Sequence, residues 1–95
     1  MGSDAIDFVN REIAGERAGA LARAVEALEK ALGELEEAST PGLRAYLLDE
    51  ARERLWFVVV QREAVGVSRH EVLYETLRVP PEVRRGMGPL PRRRS

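Results

Sequence analysis

Six consecutive large apolar residues, Leu55-Trp56-Phe57-Val58-Val59-Val60, sit in the middle of a 95-residue chain and constrain its fold more than any other stretch. A β-branched, aromatic run of this length suits a buried strand as well as a helix, so its flanks arbitrate. Asp49-Glu50-Ala51-Arg52-Glu53-Arg54 leads in and Gln61-Arg62-Glu63-Ala64 leads out, without a turn signal on either side. Glu50 and Arg54 add an i,i+4 pair in the favourable order. The run therefore reads as nearly two turns of helix, apolar all round. At about 100° per residue, Leu47, Ala51, Leu55, Val58 and Val65 point one way, while Trp56, Phe57 and Val60 point elsewhere. Such a helix must be covered on every side. One neighbouring helix covers only one.

The rest of the chain supplies that neighbour. Residues 4 to 38 contain no proline and read as one long helix, capped by Ser3 or Asp4. Its apolar residues form two adjoining stripes: Ile6, Val9 and Ile13, then Leu21, Val25, Leu28, Leu32 and Leu35. The second stripe steps by 4, 3, 4, 3, as in a coiled-coil seam. Gly15, Ala18, Gly19 and Ala22 lie between the stripes. An interior glycine costs about 1 kcal/mol relative to alanine, which predicts a close helix crossing over this small-residue patch. Ser39-Thr40-Pro41-Gly42 ends the first helix, with Thr40 as N-cap and Pro41 at the first position of the second. The second helix is expected from Pro41 to about Val65, stopped by Gly66 in a left-handed conformation. A connection this short implies an antiparallel hairpin.

Two short helices complete the pattern. Ser68-Arg69-His70-Glu71 reads as a capping box opening a helix over about 69–77. Pro80-Pro81-Glu82 opens another over 81–85, closed by Gly86-Met87-Gly88. The first long helix outruns the second, so Val72, Leu73 and Val83 are expected to cover its overhang at Ile6, Val9 and Ile13. The fold class is all-α: a long antiparallel helical hairpin plus two short C-terminal helices, one domain over 1–88 with a disordered basic tail over 89–95. Trp56, Phe57 and Val60 remain uncovered, which predicts that two hairpins pair into a dimeric four-helix core with these residues at the interface. The alternative is a single chain whose C-terminal helices wrap back over Trp56.

Composition narrows the function classes more than it selects among them. With 15 basic and 16 acidic side chains the formal charge is −1, so no global field favours nucleic acid or an acidic membrane. The absence of cysteine excludes disulfides, zinc fingers, thiolate catalysis and iron–sulfur chemistry. No apolar run approaches the roughly 20 residues that span a bilayer, and the start of the chain is acidic rather than basic and apolar, which points to a cytoplasmic protein without a membrane association. The tail from Pro89 carries Arg92-Arg93-Arg94, but no aromatic platform or basic helix face accompanies it. A tail-assisted nucleic-acid binder is thus an alternative reading, not the leading one.

His70 is the single histidine and the one side chain suited to proton transfer near neutrality. Its spacing to Glu63 and Glu75 matches no metal-ligand motif, so it reads as a surface or interface residue. Folding the hairpin near residue 40 brings Arg62 opposite the stretch from Glu16 to Gly19. A semi-buried Arg62–Glu16 pair fixing helix register is the structural expectation. The chemical alternative makes Glu12, Glu16, Arg62 and Glu63 a polar cluster that binds a small ligand or metal. No catalytic residue and no cofactor is assigned.

Three stretches carry a resemblance: Asn10-Arg11-Glu12-Ile13-Ala14-Gly15-Glu16-Arg17-Ala18-Gly19-Ala20-Leu21, Val59-Val60-Gln61-Arg62-Glu63-Ala64-Val65-Gly66, and Val79-Pro80-Pro81-Glu82-Val83. Together they resemble a family of small uncharacterised bacterial all-helical proteins, a domain of unknown function. The resemblance implies a bacterial, cytoplasmic, helical protein and carries no activity, cofactor or catalytic residue. From the residues, the expected function is a non-catalytic protein-interaction or regulatory module acting as a homodimer.

Overall fold

The computed structural model describes residues 16–89, with side chains described for 19–89; every regular element in this range is a helix. They are α1 (Glu16–Glu36), α2 (Pro41–Ala64), α3 (Glu71–Leu77) and α4 (Pro81–Arg85). The overhang residues Ile6, Val9 and Ile13, together with Gly15, Ala18 and residues 90–95 of the tail, lie outside the described residues or side chains. No helix among the described residues is long and apolar enough to cross a membrane.

The apolar periodicity places the core. Leu21, Ala24, Val25, Leu28, Ala31 and Leu35 of α1 pack with Leu47, Ala51, Leu55, Val58 and Val59 of α2, and Leu73, Val79 and Val83 close the cluster. Full burial of a leucine or valine stabilises by about 1.5–3 kcal/mol relative to exposure, so this shared face holds α1 and α2 together. Thr40 caps α2 as its sequence indicates: Leu43 N donates to Thr40 Oγ1 at 3.2 Å, and Pro41 occupies the first position. Gly66, at φ 95°, ends the helix. Val67 N donates to Arg62 O at 2.9 Å and Gly66 N to Glu63 O at 3.0 Å, satisfying carbonyls the last turn leaves open.

Three expectations need correction. Gly19 is exposed, and a Cβ added to it would meet only Arg23 Nη1, at 3.7 Å. No close crossing needs this glycine; Ala24 and Ala31 are buried in the core and Ala22 packs partly buried against it, while Gly15 and Ala18 lie outside the described side chains. The capping box at Ser68 does not form. Helix α3 starts at Glu71 with His70 as N-cap and no side-chain cap bond, because the His70 ring is engaged by the end of α2. Val72 is exposed and only Leu73 of α3 is buried, since a seven-residue helix presents one narrow face.

The path after α3 is set at its C-terminal end. Arg78 adopts the left-handed conformation (φ 54°, ψ 50°), while Val79 N donates to Tyr74 O at 2.9 Å and Arg78 N to Glu75 O at 3.3 Å. This turn lands α4 on the N-terminal half of α2; the overhang that the short helices are expected to cover lies outside the described residues. Arg52 Nε donates to Glu82 O at 3.0 Å, Arg44 pairs with the Glu82 carboxylate, and the Arg84 guanidinium lies 5.3 Å from the Tyr74 ring centroid. The charged contacts come from the side of α2 next to its core face, so α4 settles beside that face.

Candidate functional site: the outer face of helix α2

Opposite its core face, α2 carries large apolar side chains that are exposed. Tyr46 is 64% exposed, Phe57 47%, Leu43 45% and Val60 40%. Trp56 is half-buried and, with Glu53, Arg54 and Phe57, lines a shallow depression of about 190 Å³. Isolated surface apolar residues are ordinary, whereas contiguous apolar patches of several hundred Å² are the ones that mark interaction surfaces; here Glu50 and Glu53 separate Leu43 and Tyr46 from Phe57 and Val60 on the same face. Of the residues expected at an interface, Phe57 and Val60 are outward and exposed, and Trp56 stands at the edge of the row. Tyr46 and Leu43 were missed by the sequence reading. Leu43 stands alone and Tyr46 adjoins the core-facing Leu47 in the sequence, and only helical spacing from Phe57 and Val60 could have grouped them.

The charged residues of this face are few. Arg54 Nη2 donates to Glu50 Oε2 at 3.4 Å within α2, the pair foreseen from its spacing. Glu53 has no hydrogen-bond or ion-pair partner among the described residues.

A second cluster lies where α2 meets α3. Arg62 is fully buried, and its Nη1 donates to His70 Nδ1. On the other side of the ring, Nε2 stands 3.1 Å from Glu63 Oε2, with the His70 side chain 11% exposed. A guanidinium only donates, so Nδ1 accepts and Nε2 carries the proton that Glu63 receives. Both ring nitrogens are thereby occupied. His70 is neither a free surface residue nor a residue with a lone pair open to a metal or substrate; it bridges two helices. The structure thus joins Arg62 and Glu63 of the expected polar cluster through His70. Glu12 and the Glu16 side chain lie outside the description, and the Arg62–Glu16 pair with them. Among the described residues no three His, Asp or Glu side chains converge as a metal site.

A third feature is a cleft of about 470 Å³ between the C-terminal half of α1 and the α3–α4 turn. Leu32, Leu35, Leu77 and Pro80 form its apolar wall, with Glu36, Arg44, Arg78 and Glu82 at the rim. Arg44 and Glu82 neutralise each other across that rim, and the Arg44 hydrogen bond holds the Glu82 carboxyl below its usual range. The cleft lies away from the outer face of α2.

No curated protein and no solved structure matches the chain. A family model does match the chain, over residues 1–95: the chain belongs to DUF6665, a family of unknown function.

Proposed function

We propose that this protein is a non-catalytic helical interaction module that acts as a homodimer through the outer face of α2. In this reading each copy is an antiparallel hairpin of α1 and α2, and two copies together form a four-helix core. One observation carries it: Tyr46, Phe57 and Val60 lie exposed on one side of a helix whose other side is fully buried. Two aromatic rings, each able to bury about 150–250 Å², are a surface that water disfavours and a second apolar helix covers. The engagement of both His70 nitrogens supports the non-catalytic part of the reading, because the one imidazole is committed to Arg62 and Glu63.

Sedimentation velocity across a concentration series tests the proposal. The wild-type chain is expected to sediment as a dimer at micromolar concentration. A Phe57→Glu, Val60→Glu variant should sediment as one chain while its helical circular dichroism is unchanged. A wild type that stays a single chain up to hundreds of micromolar would overturn the reading.

A further inference from the structure

The cleft between α1 and the α3–α4 turn is lined by two residues that leave the fold less stable than it could be. Gly33 sits inside α1, where alanine is the better helix former. A Cβ added to it would meet no protein atom within 4 Å, so packing inside the chain does not call for glycine. Arg78 holds the left-handed conformation at φ 54°, where glycine is free of strain. Departures from local preference that gain nothing in packing concentrate at functional sites. Here both fall on one concavity, from opposite walls.

What the cleft leaves unmatched defines an occupant. Leu32 and Leu77 are only partly buried, one on each wall, so apolar surface stays open between them. Of the charged residues that line it, Arg44 is paired with Glu82, and Glu29 is also engaged. Glu36 on α1 and Arg78 on the turn have no hydrogen-bond or ion-pair partner among the described residues. A purely apolar guest would leave both of these charges unmatched. A simple anion or cation would meet one attraction and one repulsion. A guest with both charges and an apolar body answers all three features.

We propose that the cleft binds a small zwitterion with an aliphatic body, of the size of a dipeptide. Its ammonium donates to Glu36, and its carboxylate accepts from Arg78, whose planar fork suits a carboxylate. Its apolar side chains rest on Leu32 and Leu77, across the bare backbone at Gly33. The volume of about 470 Å³ lies within the range of small-molecule sites, about 300–1,000 Å³. The site is independent of the homodimer reading, because each copy carries a whole cleft. Gly33→Ala and Arg78→Gly should favour the fold and damage the site, the opposition expected where stability and function compete.

Leucyl-leucine is the probe, titrated into the full chain and followed by methyl NMR and calorimetry. The methyl resonances of Leu32 and Leu77 should shift saturably. Acetylating the amine of the probe, or amidating its carboxylate, should each weaken binding about tenfold, as expected for one charged hydrogen bond lost. Arg78→Gly should bind leucyl-leucine about tenfold less tightly, and Gly33→Ala a few-fold less tightly, although each melts at a higher temperature than the wild type. No saturable shift at about 10 mM probe would overturn the proposal. Binding that neither the blocked probes nor the two variants weaken would overturn it equally, as apolar contact alone.

Discussion

Arg62 donates from Nη1 to Nδ1 of His70, and this bond ties the last turn of α2 to the residue that opens α3. The guanidinium is fully buried, so its donors need acceptors inside the protein. His70→Ala removes one and should destabilise the fold by about 1–3 kcal/mol, the range for a buried donor left unmet. His70→Gln keeps an acceptor and a donor on one side chain and should lose less. Urea unfolding of both variants decides; equal losses would mean that ring packing, not the bond, holds the junction.

Acid should loosen α4 before it unfolds the core. The Glu82 carboxyl is held below its usual range, first by the hydrogen bond from Arg44 and against the opposing effect of desolvation. A carboxyl lowered in the folded state adds stability that is fully present above its unfolded pKa and fades as pH falls through its folded one. Wild-type melting temperature should therefore drop more than that of Glu82→Gln as pH is lowered through the carboxylate range. The pair is exposed, so the difference should be small and should shrink further with added salt.

Gly86 leaves room for the Arg52 side chain. A Cβ at this position would overlap the Arg52 guanidinium, which is bonded to Glu82 O at 3.0 Å. Gly86→Ala should displace it and cost about 1 kcal/mol, the worth of one such hydrogen bond. In the Arg52→Ala background the same change should cost close to nothing, a coupling that a double-mutant cycle reads directly.

Two backbone positions are open to stabilisation. Gly33 lies inside α1 with nothing within 4 Å of an added Cβ, so Gly33→Ala should gain about 0.5–1 kcal/mol from helix propensity. Arg78 holds a left-handed conformation that glycine adopts without strain. Arg78→Gly should gain up to about 1 kcal/mol, the strain relieved being partly offset by the greater freedom of unfolded glycine. Thermal unfolding of each single variant checks the sign.

Helix α2 with both its ends, and the C-terminal end of α1, were legible because their signals are local. Thr40-Pro41 and Gly66 act within a few residues of themselves, and the spacing from Leu21 to Leu35 marks the buried face of α1 without reference to any partner. The candidate site was half legible. Phe57 and Val60 stood out as part of an apolar run, whereas Tyr46 joins them only once the helix is built and its faces are counted. The capping box at Ser68 misled because a local motif competed with a buried guanidinium eight residues before His70, and the buried charge prevailed.

By itself, then, the sequence determined that the chain is helical, where α2 begins and ends, and which side of each long helix is apolar. Those properties depend on hydrogen bonds and side-chain spacing within about one helical turn. Only the tertiary structure decided that Arg62 is buried against His70, that Val72 faces out, and that α4 docks beside Arg44 and Arg52. Each of these depends on contacts between segments separated in the chain, where burial, charge and chain reversal at Arg78 compete and no short window of residues contains all the competitors.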